Sequence, residues 1–424
     1  MSKRRAWDDW RDLLPPHAAA QEHPKGQKPQ RSHFTTDDVD HAAPHRSLSL
    51  LRWGSPRHYR IRKPYTCKAA INHIISFPTY SLHSNSFRSY FKSLLGSSVS
   101  PLLRINWESV ISSHSSILSD LDAPFSFAEV STVIKNSKNF KSPGPDGLIL
   151  EFYKKFWDQL GPSVTGILND LHSHPKDFSK INSAYITLIP KKKSAILATD
   201  FRPISLENST VNIFSKLLAN RLAPHMADLI FNTQATFMQG RSTLDCYIAV
   251  SETLWACNSM DQDSCVIKFD FARAFDSIGW DFIEDMLVAR GFSSLWISWV
   301  LHILRSATSS VIINDSIGAP FAHKRGLRQG NPLSPLLFNL VADVLSRLIS
   351  LAANSRSING VLQDQFRGGG GGGITHILYA GDLIMFSKAD PQSFNQIKLL
   401  FKCFELASGL CINLAKDICY SHRG

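Results

Sequence analysis

No two of the seven cysteines are spaced as CxxC, and no histidine stands near Cys403, Cys411 or Cys419 in a zinc-like rhythm. Zinc modules and a disulfide framework are therefore excluded as organising features, and the thiols read as reduced core residues. Acidic residues are also short, 35 against 46 lysines and arginines, for a formal net charge of +11 and a pI of about 9.3. That balance points to a polyanionic partner, nucleic acid first and an anionic membrane surface second.

Long uncharged apolar runs are missing too. The richest stretch, "SPLLFNLVADVLSRLISLAA", carries Asp343 and Arg347 and reads as a buried helix. The opening "MSKRRAWDDWRDLLPPH" has no apolar core followed by small residues, so no secretory signal is expected. The expected location is intracellular, nucleus or cytoplasm, with no membrane partner; oligomeric state is not specified.

What is present begins with a shift in composition. Residues 1–75 are basic and rich in Pro and His without periodicity, and are expected to be disordered. Ordered signals follow, in a chain long enough for two or three subdomains. "PFSFAEVSTVIKN" predicts a helix starting at Ser126, with Glu129 completing a capping box and Phe125 stapling to Val130. "GLILEFYKKFWDQLG" repeats apolar residues at helical spacing and is expected to stop at Gly161-Pro162. Further helices are predicted at 210–223, 243–258, 281–290, 294–305 and 333–352.

Strands interleave with them. "AYITLIP" and "FRPISL" bracket a basic loop, and "SSVIIND" with "SIGAPFAHKRG" predicts a hairpin turning near Asn314-Asp315. "SCVIKFDFA" and "HILYAGDLIMF" add two more segments. The irregular mixture predicts an α+β fold. Six consecutive glycines, Gly368 to Gly373, read as a flexible linker just before the last of these segments.

Two aspartates stand out against this apolar background. Asp270 ends one apolar strand, where a carboxylate must be solvated, paired or bound to a cation. Asp382 sits with Gly381 at the apex of "HILYAGDLIMF". Asp276 reads equally well as a helix cap or as a catalytic group. A magnesium site for phosphoryl transfer needs a few carboxylates from separate segments plus substrate phosphates. Asp270 and Asp382 are far apart in the chain, so only neighbouring strands bring them together.

The order of motifs adds more. "KSPGPDG", "LIPKKK", "DFRPISL", "FDFARAFD", "GLRQGNPLSPLLF", "YAGD" and "SGLCINLAK" together resemble the reverse transcriptase of plant-type LINE, or non-LTR, retrotransposons, from about residue 85 onward. The resemblance implies a right-hand polymerase: connector and fingers over 76–242, palm over 243–424, and a largely missing thumb. It implies RNA template, DNA primer and deoxynucleoside triphosphates as partners and two Mg²⁺ ions on Asp270 and Asp382. Phe275 matches the aromatic gate beside the sugar, and Gln329 and Gly330 match the loop against template and incoming base. Lys192 and Arg202 match triphosphate contacts, while Lys191 and Lys193 read as a basic surface touching template backbone. Lys416 matches a lysine that protonates departing pyrophosphate, with a solvated lysine as its alternative. "KSPGPDG" reads as a rigid turn.

Departures from that family accompany the match. The apex is expected to read Tyr-Ala-Asp-Asp, so Gly381 replaces the first apex aspartate. A slip of Asp382 into its place would pull "LIMF" out of its buried register. Asn331 stands for aspartate in "QGDPLSP", Asp417 replaces a small hydroxyl residue, and no endonuclease or RNase H segment accompanies the motifs. The resemblance therefore implies a decayed, truncated copy with impaired polymerase activity. The alternative is a catalytically inactive protein that binds RNA or RNA–DNA hybrid, and a further one is a relic with no folded product.

Overall fold

The computed structural model describes residues 81–98, 101–111, 116–231, 233–234, 241–363, 373–379, 381–412 and 418–422. The expectations for residues 1–75, Lys416 and Asp417 lie outside the described residues, as does the glycine run except Gly373.

Among the described residues helix α1 (Ser81–Gly96) comes first, and after two short helical turns α2 (Phe127–Asn136) starts where its cap predicts. Ser126 Oγ accepts from Glu129 N at 3.1 Å. The Glu129 carboxylate does not complete the box; it binds Arg221 through both oxygens at 2.8 Å. A bidentate guanidinium outbids a backbone N–H for a carboxylate.

The next helical run is broken one residue before Trp157, into α3 (Leu150–Lys155) and α4 (Trp157–Ser173). The expected stop at Gly161-Pro162 is corrected here. Phe156 adopts φ −110 and ψ 21, and α4 then runs through Pro162, which lies in its second turn. Gly161 is a packing glycine: a Cβ there would lie 2.8 Å from the Phe127 ring.

Strands β1 (Ser183–Pro190) and β2 (Phe201–Glu207) form an antiparallel pair, followed by helix α5 (Ser209–Leu222). Helix α6 (Thr243–Ser259) leads into β3 (Ser264–Ala272), and α7 (Trp280–Ala289) and α8 (Ser294–Arg305) come next. Strands β4 (Thr308–Ile313), β5 (Ser316–Ile317) and β6 (Phe321–Ala322) then fold on themselves. Asn314 and Asp315 both take positive φ, 49° and 59°, as a tight hairpin turn requires. The long helix α9 (Ser334–Asn354) precedes β7 (His376–Tyr379) and β8 (Asp382–Lys388). Helix α10 (Pro391–Ser408), β9 (Cys411–Ile412) and β10 (Ile418–His422) complete the described elements.

The strands make two sheets. One runs β2-β1-β4-β5, with β6 on β4 and with β4 parallel to β1. It thus takes strands from both sides of residue 242. Phe87 and Phe91 of α1 pack with Ile186, Phe201, Val311 and Phe321 to make its own apolar cluster. The other sheet runs β10-β3-β8-β7, with β9 pairing to the end of β3.

The main core lies beneath the second sheet, around α9. By length and composition α9 is apolar enough to cross a membrane, yet 72% of its most apolar window is buried inside the protein. Its Asp343 accepts from Arg290 and Arg347, each at 2.7 Å, and from Phe231 N at 2.8 Å. A buried carboxylate is tolerated only with such partners. The architecture is α+β.

Candidate active site

The alternation of β3 decides which side chains face out. Ile267, Phe269 and Phe271 are buried, and Phe269 meets Phe401 of α10 edge-on at 4.8 Å. Lys268 and Asp270 therefore share the opposite face. On β8, Leu383 and Met385 are fully buried, which turns Asp382 outward with Ile384.

The antiparallel register places Asp270 directly opposite Asp382, and Lys268 opposite Ile384. Directly opposed residues share a face with Cβ atoms about 4.5–5.5 Å apart. Two carboxylates from distant segments are thus side by side at the end of the sheet. Lys268 Nζ reaches diagonally to Asp382 Oδ2 at 3.1 Å. The lysine carries no motif signal of its own; only its position two residues before Asp270 could have drawn attention to it.

Tyr379 pairs with Asp382, and Gly381 lies in the turn just before Asp382. Gly381 O accepts from Phe271 N at 3.2 Å. A Cβ on Gly381 would meet nothing within 4 Å, and its φ lies outside the left-handed region. Neither space nor backbone requires glycine there. Asp382 has not slipped: it stays in register, and Leu383, Met385 and Phe386 stay buried. The hairpin is anchored from behind by buried His376, which shares a 2.5 Å hydrogen bond with Ser346 of α9. Burial pushes the His376 imidazole down to about 4, so it is neutral at physiological pH.

A second group of residues assembles just past β3. Arg273 takes φ 52 and ψ 48 and opens a helical turn, Ala274–Ser277. Phe275 is half-buried and stacks on Phe338 at 4.8 Å. Asp276 is buried, and its Oδ1 accepts from Gln329 Nε2 at 2.9 Å. Burial pushes the Asp276 carboxyl up to about 6, against the pull of the Gln329 bond and of Lys191, Arg273 and Arg325.

The loop holding Gln329 is fixed by backbone. Leu327 N donates to Phe275 O at 2.6 Å, and Ser205 N of β2 donates to Gln329 O at 2.7 Å. Gly330 has φ +116, and a Cβ there would lie 2.8 Å from Ser205 O. Glycine is required at that point. Phe275, Gln329 and Gly330 are thereby brought into one neighbourhood at the junction of the two sheets.

Asn331 belongs to a closed buried network. Its amide donates to Glu207 Oε1 and Oε2 at 3.1 and 2.9 Å and to Ser215 Oγ at 2.9 Å. Its own oxygen accepts from Leu333 N at 2.9 Å, and Arg328 binds Glu207 at 3.0 Å. An aspartate at 331 would face the Glu207 carboxylate. Asparagine at 331 thus suits its surroundings.

The basic loop between β1 and β2 is tied to itself. Lys192 Nζ lies 2.8 Å from Asp200 Oδ1, and that bond, with two backbone N–H groups, holds the Asp200 carboxyl down to about 2. Lys191 Nζ donates to Thr199 O at 3.0 Å. Arg202 is exposed on β2 opposite Ile189. Two cations that motif reasoning passed over join Lys191 near Asp276. Arg273 lies over the Tyr90 ring at 5.1 Å, and Arg325 Nε donates to Leu94 O at 2.6 Å.

Among the described residues no group of three or more His, Cys, Asp or Glu converges as a metal site. The Asp270–Asp382 pair supplies two hard oxygen donors, which fits a magnesium ion that takes its remaining ligands from water and substrate phosphates. A pair of ions would draw more on the substrate.

Residues 189–421 match the family model described as reverse transcriptase (RNA-dependent DNA polymerase). Over 223 residues the chain is 30% identical to the transposon TX1 uncharacterized 149 kDa protein of Xenopus laevis, covering 53% of this chain and 17% of that protein. It is 27% identical to the Pol polyprotein of the type-2 retrotransposable element R2DM of Drosophila melanogaster, over 66% of this chain and 25% of that protein. The chain thus spans a quarter or less of these curated relatives. Among solved structures it is similar to apo telomerase from Candida tropicalis at 15% identity, with a TM-score of 0.39 over 61% of this chain and 56% of that one. With more than half its length inside the family model and its relatives among retrotransposon Pol proteins, the chain belongs to the reverse transcriptases of non-LTR elements.

Proposed function

We propose that this site adds deoxynucleotides to a DNA primer on an RNA template, and that this copy does so at a greatly reduced rate. The observation that carries the reading is the cross-strand pairing of Asp270 with Asp382 on an outward face. These two carboxylates would hold Mg²⁺ together with the phosphates of the incoming nucleotide. When bound, the metal supplies charge neutralisation at the phosphates and lowers the pKa of the attacking primer hydroxyl.

The chain's own residues position the reactants. Phe275, stacked on Phe338, is the aromatic whose bulk would collide with a ribose 2′-OH beside it and so favour deoxynucleotides. Gln329, held by Asp276 and by β2, faces the template and incoming base, and Gly330 lets backbone approach them. Arg202 contacts the triphosphate, because its guanidinium is exposed and suits phosphate oxygens bidentately. Lys192 joins it on releasing Asp200. Lys416 donates the proton to pyrophosphate. The motif wording supports a plant-type LINE as the source.

Impairment follows from the apex. Removing one member of a catalytic unit costs about 10⁴ to 10⁶ in turnover, and Gly381 supplies no carboxylate to the reaction. A second reading, an inactive binder of RNA or RNA–DNA hybrid, is favoured by the same glycine and by the Lys268–Asp382 ion pair. Primer extension on an RNA template, run beside a salt titration of RNA binding, separates the two. Slow extension by the wild type that Asp270→Ala abolishes supports the polymerase. Salt-sensitive binding with no extension by the wild type supports the binder.

A further inference from the structure

We propose that Lys268 is a resident counter-cation of the apex, which a divalent metal must displace before it can bind across Asp270 and Asp382. The proposal rests on the reading of those two aspartates as the metal-holding pair.

Three observations carry it. The period of β3 puts Lys268 and Asp270 on the same outward face, two residues apart. The residue directly opposite Lys268 is Ile384, which offers its ammonium no acceptor, so the nearest carboxylate is the diagonal one. That carboxylate is Asp382, 3.1 Å away and on the site itself.

Charge arithmetic makes the lysine matter in this chain in particular. With glycine at 381 the turn and its neighbour hold two carboxylates, and Lys268 already neutralises one of them. A cation arriving there meets an ammonium it must push aside. With aspartate at 381 one more carboxylate would stand against the same single ammonium.

Displacement is nonetheless feasible. The lysine and aspartate side chains are 46% and 38% exposed, and ion pairs that exposed are weak. The lysine therefore tunes metal affinity without abolishing it. The expected effect of removing its charge is a metal Kd about twofold to fivefold lower. The long stem can swing to solvent, where the displaced ammonium is free to meet a substrate phosphate.

The test is Mn²⁺ binding to the full chain, read by electron paramagnetic resonance of the free ion, without nucleotide or nucleic acid. Wild type, Lys268→Met, Lys268→Gln, Lys268→Arg, Gly381→Asp and Asp270→Asn are compared. The expected result is a Kd about twofold to fivefold lower for Lys268→Met and Lys268→Gln, and an unchanged Kd for Lys268→Arg. Equal Kd values for wild type, Lys268→Met and Lys268→Gln would overturn the proposal, while Gly381→Asp and Asp270→Asn still shifted binding. If neither Gly381→Asp nor Asp270→Asn changes Mn²⁺ binding, the metal reading of the pair fails and the lysine proposal falls with it.

Discussion

Asn331 gives its side-chain amide to both oxygens of the buried Glu207 carboxylate, at 3.1 and 2.9 Å. That single contact changes the meaning of an apparent family departure. Glu207 is balanced by Arg328 on one side and by a neutral donor on the other. Restoring an aspartate at 331 would set two carboxylates against each other with one guanidinium to share.

The first prediction follows. Asn331→Asp is expected to destabilise the chain by about 2 to 4 kcal/mol at neutral pH, the range for an uncompensated buried charge. Glu207→Gln added to Asn331→Asp should recover most of that loss. Denaturant unfolding checks both, and an Asn331→Asp chain as stable as its parent contradicts the account.

The buried Asp276 carboxyl gives a pH-dependent prediction. Its folded pKa of about 6 lies above the ordinary carboxyl value of about 3.9, so the native state holds this proton more tightly than the unfolded chain does. The residue is therefore best tolerated below about pH 4, and that contribution is lost as pH rises through 6. Above pH 7 the ionised group costs about 2 to 3 kcal/mol. Asp276→Asn keeps a partner for Gln329 without the charge. It should be the more stable protein at pH 7.5, with the difference shrinking to about a third near pH 4.5. Paired denaturant melts at the two pH values read this directly, and a gap that fails to narrow sinks the explanation.

Helix α4 supplies a contest between two effects. Alanine in place of a helical glycine gains about 1 kcal/mol from propensity. At Gly161 the new Cβ would stand 2.8 Å from the Phe127 ring and 3.0 Å from the Trp157 ring. Overpacking of that kind costs about 1 to 3 kcal/mol. Gly161→Ala is expected to be neutral to destabilising by about 2 kcal/mol, and trimming the ring with Phe127→Leu should reverse the sign. A stabilised Gly161→Ala single variant contradicts the packing role.

The contrast between Gly161 and Asn314-Asp315 shows what local sequence carries. The Asn-Asp turn is a purely local decision, since both residues tolerate positive φ, and it was readable in advance. Gly161-Pro162 looks like a stop by the same local logic. Its true reason is a ring on another helix, which no window of sequence contains. The Glu129 box failed in the same way, because Arg221 lies on α5. The parallel pairing of β1 with β4 likewise depends on a partner more than a hundred residues away.

At the site, Asp270 and Asp382 were legible because each interrupts an apolar strand and because their motifs keep a known order. The register then makes them face each other. Lys268, Arg273 and Arg325 were not legible, since a lysine or arginine gives no sign of its partner until the sheets are assembled. Asn331 was legible as a difference but not as a matched one, for Glu207 sits at the end of β2.

The most direct test of the central claim is the rate of nucleotide addition to a primed RNA template by wild type and by Gly381→Asp, with Asp270→Ala in each background. A Cβ at residue 381 would meet nothing within 4 Å. The account predicts that Gly381→Asp extends the primer at least about 10³-fold faster than wild type, and that Asp270→Ala removes extension in both. Equal rates for wild type and Gly381→Asp, or extension that survives Asp270→Ala, would contradict it.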